Sequence, residues 1–451
     1  MIERRPLPYD TLELTHRAID GRRVRLGYAL VAPALARVDL EETLEIPPSL
    51  GPLRDGAWAP RLLAALHLAA GTSYWKTCLP PRIVVPGDPL SEDDAAFWNR
   101  VYTAGLAEFF YRNGIDPTGL APFSGERKTA APSTAEPSGE TLLLWGGGKD
   151  SVVSHEALRE GGIDHDLLTI GRAWEPTARS GVVAGTTHHV AKRTLDPKLF
   201  ELNASGAWNG HVPVSAYLAF AGLLLAALGG RQAVIASNEA SASSGNTIWN
   251  GLDVNHQWSK SLEFERAARA WLSRHTGGTL DYVSLLRPLS ELRITKAFTT
   301  HPAYFEAVSS CNRNFRQTAD APARWCLACA KCVFVALMAR PFLSETDYHR
   351  LFGGDPLADP ENVSYVEELL GLRGMKPFEC VGTPDESAVA LKLAKEAGRP
   401  LPHGVMTALH EELTLRDIDW AGATSRALAR GDDHALSPAL LAALDGYLAR
   451  H

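Results

Sequence analysis

Apolar positions near the start of the chain alternate with polar ones. Thr11-Leu12-Glu13-Leu14, and then Val24, Leu26, Tyr28 and Leu30, follow period two on either side of Asp20-Gly21, which predicts two strands joined as a hairpin. The period then lengthens. A helix is predicted from Pro60 to Ala70, and a second one begins at Ser91, whose hydroxyl forms a capping pattern with Asp94 ahead of Phe97, Val101, Leu106 and Phe110. Residues 126–140 are poor in apolar side chains and rich in Pro, Ala, Ser and Thr. They predict a linker after an N-terminal α+β domain over 1–125.

Beyond the linker, short apolar runs alternate with helical patterns. Extended segments are expected at Thr141–Leu144, Asp166–Ile170, Gln232–Ser237 and Tyr282–Leu286. Helices are expected after Asp150, near Val182–Lys192, over the apolar stretch Val212–Leu228, at Leu262–Trp271 and at Leu292–Ser309. This alternation implies βαβ crossovers, and so an α/β domain over 141–340 with a mainly parallel sheet covered on both faces. Ligands of such sheets sit beyond the carboxyl ends of the strands, where Gly146–Ser151, Gly171-Arg172 and Asn238-Glu239 fall. After Pro341 the pattern predicts a helical C-terminal region over 341–451, including Ser364–Leu372, Glu386–Ala397 and Pro438–Ala449, with no chemistry of its own.

Composition narrows the class. A chain of 451 residues with 45% hydrophobic content supports two or three domains with a large core. Pro213 and Gly222 interrupt the longest apolar stretch, which therefore reads as a buried helix rather than a membrane span. The net charge of -7 argues against nucleic acid or an anionic membrane as the main partner. The first residues lack the apolar core of a signal peptide, and four of the six cysteines cluster. Metal binding in a reducing compartment follows, and the expected location is the cytoplasm.

Directly after Leu142-Leu143-Leu144 the chain reads Trp145-Gly146-Gly147-Gly148-Lys149-Asp150-Ser151. Three glycines without Cβ atoms let the backbone turn sharply and bring N–H groups to an anion. Lys149 adds a cation, Asp150 a candidate Mg²⁺ ligand and Ser151 a hydroxyl at a helix start, where the dipole favours negative charge. The Walker spacing is absent. The stretch resembles the loop of the PP-loop ATP pyrophosphatases, which cleave ATP between the α and β phosphates and pass AMP to a substrate oxygen. A glycine-rich turn that merely joins strand to helix is the bland alternative.

Cys326, Cys329 and Cys332 are separated by two residues each, and Cys311 lies upstream. Four thiolates so spaced satisfy tetrahedral Zn²⁺, and such a site would pin a loop beside the nucleotide pocket. An iron–sulfur cluster, a catalytic thiol and free core cysteines are the competing readings. Cys78 and Cys380 stand apart and read as ordinary buried residues.

Several further stretches point to one family. These are Gly71-Thr72-Ser73-Tyr74-Trp75-Lys76, Ser237–Ala242, Gly245-Asn246, Val254–Ser261, and Ser310–Arg316 leading to Arg324-Trp325-Cys326. Together they resemble the bacterial UDP-N-acetylmuramoyl-L-alanyl-L-glutamate epimerases over most of residues 58–343. The resemblance implies an isomerase that uses ATP and Mg²⁺ to invert the terminal L-glutamate of a peptidoglycan precursor, releasing AMP and pyrophosphate. On that reading Gly146–Ser151 hold pyrophosphate and Mg²⁺, and Gly171-Arg172 lie near adenine or ribose. Asn238, Asn246, Arg313 and Arg316 become substrate contacts, and Gly71–Lys76 would reach the uridine or muramoyl part. Glu239, His256, Lys260 and Cys311 are the candidates for proton transfer, which an adenylated carboxylate makes feasible by removing charge beside Cα. A deazaguanine-synthase or tRNA-thiolase type of enzyme is the runner-up, and an ATP sensor is the non-catalytic alternative.

Overall fold

The alternating segments near the start form β1 (Thr11–Asp20) and β2 (Arg23–Val31), antiparallel about a turn at Gly21. A further alternating run adds β3 (Val38–Glu45) to β2, an element the pattern had not singled out. The computed structural model describes residues 7–54, 56–87, 89–127, 139–172, 174–315, 324–415 and 418–451. β4 (Arg82–Val84) joins the sheet in parallel beside β1, α1 (Ala59–Trp75) packs against β1, β5 (Leu90–Ser91) pairs with β6 (Gly125–Glu126) in a separate two-stranded sheet, and α2 (Glu92–Thr103) and α3 (Ala107–Asn113) lie between those two strands in sequence. The expected cap is present: Ser91 Oγ accepts the Asp94 N–H at 3.1 Å. The predicted linker falls largely on residues 128–138, outside the described residues.

The second half contains the expected alternation. It runs β7 (Thr141–Leu144), α4 (Lys149–Glu160), β8 (His165–Ile170), α5 (Glu175–Ala184), β9 (His188–Ala191), β10 (Arg193–Thr194), α6 (Pro197–Ala204), α7 (Val214–Gly229) and β11 (Ala233–Ala236). A hairpin of β12 (Thr247–Trp249) and β13 (Leu252–Val254) follows, then α8 (Leu262–Thr276), β14 (Asp281–Ser284) and α9 (Glu291–Phe298). The sheet order is β14-β11-β7-β8-β9 and every pairing is parallel. Counted along the chain from β7 as the first strand, that is order 3-2-1-4-5 read from β9, so the winding reverses between β7 and β11. Such a reversal opens a crevice at the carboxyl ends of those two strands.

Period two decides which face each strand residue covers. Leu142, Leu168, Val234 and Tyr282 share one core with α7 and the N-terminal sheet, whereas Leu143, Leu167, Ile235 and Val283 share another with the helices that follow. The first core is continuous across both halves, and β10 pairs with β3, so the parallel domain and the N-terminal layer are held together by backbone as well as side chains. The apolar stretch is α7, buried as expected; Leu224 is fully buried, and truncating it to Ala costs about 2–5 kcal/mol. No helix among the described residues is long and apolar enough to cross a membrane.

Two expected helices are shorter than the pattern implied. The one placed at 182–192 ends at Ala184 because Gly185 takes a left-handed cap at φ 69°, and His188–Ala191 instead extend beside β8. The one placed at 292–309 ends at Phe298, followed by a separate short turn at Pro302–Tyr304. The C-terminal region is helical: α10 (Ala330–Ala339), α11 (Glu345–Phe352), α12 (Val363–Leu370), α13 (Pro384–Glu396), α14 (His403–Leu415), α15 (Trp420–Leu428) and α16 (Pro438–Leu448).

Candidate active site

The glycine loop leaves β7 and enters α4 at the reversal point of the sheet. Gly147 has φ +71°, and a Cβ there would come within 2.7 Å of the Thr177 Cα, so only glycine fits without moving the backbone of α5. Gly148 is the extended N-cap of α4 and Gly146 has open space around it. Ser151 Oγ donates to the Gly148 carbonyl at 2.9 Å, which keeps the first turn closed. Beside the loop lies a cavity of about 770 Å³ lined by Trp145, Gly146, Gly171, Arg172, Trp174 and Tyr217. Gly171 and Arg172 therefore stand where the strand ends placed them, with the Arg172 guanidinium 4.8 Å from the Trp174 ring centre.

Lys149 is buried and its ammonium contacts both Asp150 and Glu291. Burial opposes its charge, but Asp150 and Glu291 outweigh that and raise its pKa. Glu291, at the start of α9, also meets the Lys331 ammonium at 3.3 Å, and the two lysines overcome burial to hold its carboxyl down at about 2. Lys149 thus fixes Asp150, whose side chain retains 26% exposure.

At the end of β11, Asn238 donates to Ser284 Oγ at 2.8 Å and sets the loop that carries Glu239. Arg287, fully buried, donates to the Glu239 carbonyl at 2.6 Å and the Lys260 carbonyl at 2.5 Å, so one guanidinium fixes two candidate residues. The Glu239 carboxyl is buried, and burial together with Glu291 pushes it up to about 7. Its Oε1 has no hydrogen-bond partner among the described residues, and the same holds for Ser237 Oγ, Ser241 Oγ and Gln257 Oε1. Unsatisfied buried polar atoms concentrated in residues 237–257 are what a binding site looks like before its ligand arrives.

Two features escaped the sequence. The segment between α12 and α13 is laid across the site: Asn246 donates to the carbonyls of Lys376 and Pro377, both at 3.0 Å, and Gln257 to that of Val381 at 3.2 Å. Asn246 is therefore occupied in holding this strap. The strap brings in Cys380, which is half-buried and no ordinary core residue. Lys260 Nζ donates to its Sγ at 3.0 Å and the Lys331 ammonium contacts its carbonyl oxygen. Burial would raise the thiol, but Lys260 and a hydrogen bond with His256 prevail and lower it to about 5. Burial likewise opposes a charged His256, whose hydrogen bonds to Cys380 and Glu108 raise it to about 9; the Glu108 contact is 2.5 Å. His211 lies 3.3 Å from the same Glu108 carboxylate. Only pairing through space reveals this group, since Glu108, His256 and Cys380 share no local motif.

Cys311 separates from the other proton-transfer candidates and joins Cys326, Cys329 and Cys332, the four sulfurs lying within 4.8 Å of one another and Cys326 and Cys332 at 3.7 Å. Sulfurs about 2.3 Å from one tetrahedral ion lie about 3.8 Å apart, so the set fits a single metal. Cys311 is held well below the usual thiol range by hydrogen bonds from Cys329 and Cys332. The cluster also supports the glycine loop: Ser309 donates its N–H to the Gly147 carbonyl at 3.2 Å, and Ser310 abuts Gly148. Arg313 donates to the Ala328 carbonyl at 3.3 Å on the exposed side of this knuckle, and Arg316 lies outside the described residues. Gly71–Trp75 are buried in the last turns of α1, against the N-terminal core.

Comparison with known proteins decides the family. Residues 6–285 match the MurL N-terminal domain and residues 307–420 the MurL C-terminal domain. The chain belongs to the MurL family. Its relatives include proteins named UDP-N-acetyl-alpha-D-muramoyl-L-alanyl-L-glutamate epimerase. That of a Micromonospora species is 40% identical over 443 residues, covering 93% of this chain and 94% of the relative. That of Salinispora tropica is 41% identical over 89% of each chain, and that of Xanthomonas oryzae pv. oryzae 42% over 73% of each. Both matched MurL domains contribute to the site, since Asp150, Glu239 and Lys260 fall in the first, and Lys331 and Cys380 in the second.

Proposed function

We propose that this MurL chain inverts the terminal L-glutamate of UDP-N-acetylmuramoyl-L-alanyl-L-glutamate to D-glutamate, in the cytoplasm, during peptidoglycan precursor synthesis. The energy source is ATP: the glutamate α-carboxylate attacks the α-phosphate, an acyl-adenylate forms, and pyrophosphate leaves. The observation that carries the reading is the meeting of the glycine loop at the end of β7 with the buried carboxyl of Glu239 at the end of β11, whose Oε1 has no hydrogen-bond partner among the described residues. An anion cradle and a carboxyl titrating near 7 are what activation followed by proton transfer needs. The names of the relatives supply the substrate.

In this reading the fold is the PP-loop fold. Backbone N–H groups of Gly146–Gly148 and the start of α4 receive the phosphates, Asp150 would hold Mg²⁺, and the cavity beside Arg172 takes adenosine. Converting the carboxylate to a mixed anhydride with AMP lowers the charge that would otherwise accumulate when Cα loses its proton. Glu239 then transfers a proton on one face, and water releases AMP. Zn²⁺, held by Cys311, Cys326, Cys329 and Cys332, would supply no chemistry and pin the loop through Ser309 and Ser310. The thiolase alternative draws its support from the cysteines, but sulfurs within 4.8 Å of one another are too close to surround a cubane.

The test is direct. Incubated with ATP, Mg²⁺ and the UDP-linked L-Ala-L-Glu precursor, the protein should yield AMP, pyrophosphate and D-glutamate in the product. Conversion of the precursor without AMP release would remove the nucleotide step, and AMP release without D-glutamate would remove the epimerase.

A further inference from the structure

We propose that Cys380, delivered by the strap between α12 and α13, is the second proton carrier of the epimerisation, acting on the face of Cα opposite to Glu239. The proposal rests on the acyl-adenylate reading above. Inversion needs a base on one face and an acid on the other, and a single group cannot reach both. Lys260, whose charge acts on the buried Glu239 carboxyl, also donates its ammonium to the Cys380 sulfur at 3.0 Å, so one lysine brings a carboxyl and a thiol into the same group.

The arrangement suits the task. Lys260 Nζ lies 3.0 Å from the sulfur, and the His256 ring, itself fixed by Glu108 at 2.5 Å, hydrogen-bonds to it. Cations on one side of a sulfur favour thiolate, the form that accepts a proton. The charged groups facing Cys380 are Lys260, His256, Lys331, Lys376 and Glu379, four cationic against one carboxyl. Lys331 links the sulfur's own backbone to Glu291 and so to Lys149 and Asp150, which ties the strap to the phosphate loop. Cys380 is only half-buried, whereas Glu239 is buried.

The step balances. For one epimer the Cα–H bond breaks, its proton forms an S–H bond at Cys380, and the electron pair enters the enolate of the activated carboxyl. Glu239 then gives its proton to the opposite face, and the carboxylate and thiol return to their starting forms by exchange with water. The reverse direction exchanges the two roles.

The experiment uses Cys380→Ala and Cys380→Ser in the full chain, with precursor, ATP and Mg²⁺ in deuterated water. AMP formation should stay within about threefold of wild type while inversion falls by about a hundredfold or more, the scale of a lost acid–base group. Deuterium uptake at Cα should survive from only one of the two epimers, because Glu239 still serves its own face. Inversion above a hundredth of the wild-type rate, or loss of AMP formation together with exchange from both epimers, would overturn the proposal. Absence of AMP formation by the wild-type protein would instead defeat the underlying nucleotide reading. Should both variants fail to fold, alkylation of the wild-type protein at pH 6 decides. Rapid labelling of Cys380 that abolishes inversion and is blocked by precursor supports it, and an inert thiol overturns it.

Discussion

The ammonium of Lys260 lies 3.0 Å from the sulfur of Cys380, across 120 positions of sequence. One comes from the short turn that follows the β12–β13 hairpin, the other from a strap between two C-terminal helices, and Arg287 anchors the first while Asn246 anchors the second. The contact holds the thiol as thiolate at about 5, after burial has been outweighed. Lys260→Gln should therefore raise the apparent pKa of Cys380 by about one unit or more, read as the pH dependence of its alkylation rate. An unchanged profile would show that His256 alone sets the sulfur's charge.

Glu239 makes a stability prediction as well as a catalytic one. Its folded pKa of about 7 lies above the 4.5 of an ordinary glutamate, so between those pH values the unfolded chain releases a proton that the folded chain retains. Stability from this group is full below about 4.5 and is lost as pH rises through about 7, by roughly 3 kcal/mol. Glu239→Gln lacks that term. Urea unfolding of variant and wild type should diverge in favour of the variant between pH 5 and pH 8, while inversion stops and AMP formation continues.

Gly147→Ala should damage the glycine loop. The residue sits at φ +71° with the Thr177 backbone 2.7 Å from where a Cβ would go, and a non-glycine residue there carries about 1–3 kcal/mol of strain. AMP formation should fall by about a hundredfold or more, the scale of a misplaced reacting group. Gly146→Ala, with open space around it, should be milder in thermal stability.

The cysteine cluster should contain about one zinc per chain by elemental analysis. Cys326→Ser should lose that metal and, through Ser309 and Gly147, lower AMP formation. Several irons per chain together with acid-labile sulfide would contradict the single-ion geometry.

Local periodicity made the parallel sheet legible: Leu142-Leu143-Leu144 followed by three glycines already implied a strand, a loop and a helix. The strand ends likewise located Gly171, Arg172, Asn238 and Glu239. What the pattern concealed depends on distance in sequence. Gly185 could end a helix that the apolar residues beyond it seemed to continue, and His188–Ala191 became a strand only because β8 offered a partner. Cys380 gave no signal of its own, because its meaning comes from Lys260 and His256, and Asn246 looked like a substrate contact while serving the strap that carries the cysteine.

In the proposed mechanism Cα becomes acidic only after ATP is cleaved at the α–β bond. The most direct measurement follows the glutamate Cα in deuterated water with the UDP-linked precursor and either ATP or its non-cleavable α,β-methylene analogue. With ATP, one deuterium should enter as D-glutamate and AMP accumulate. With the analogue, bound or not, neither inversion nor deuterium uptake should occur. Exchange at Cα with the analogue, or with no nucleotide at all, would mean direct deprotonation of the free carboxylate and would contradict the account.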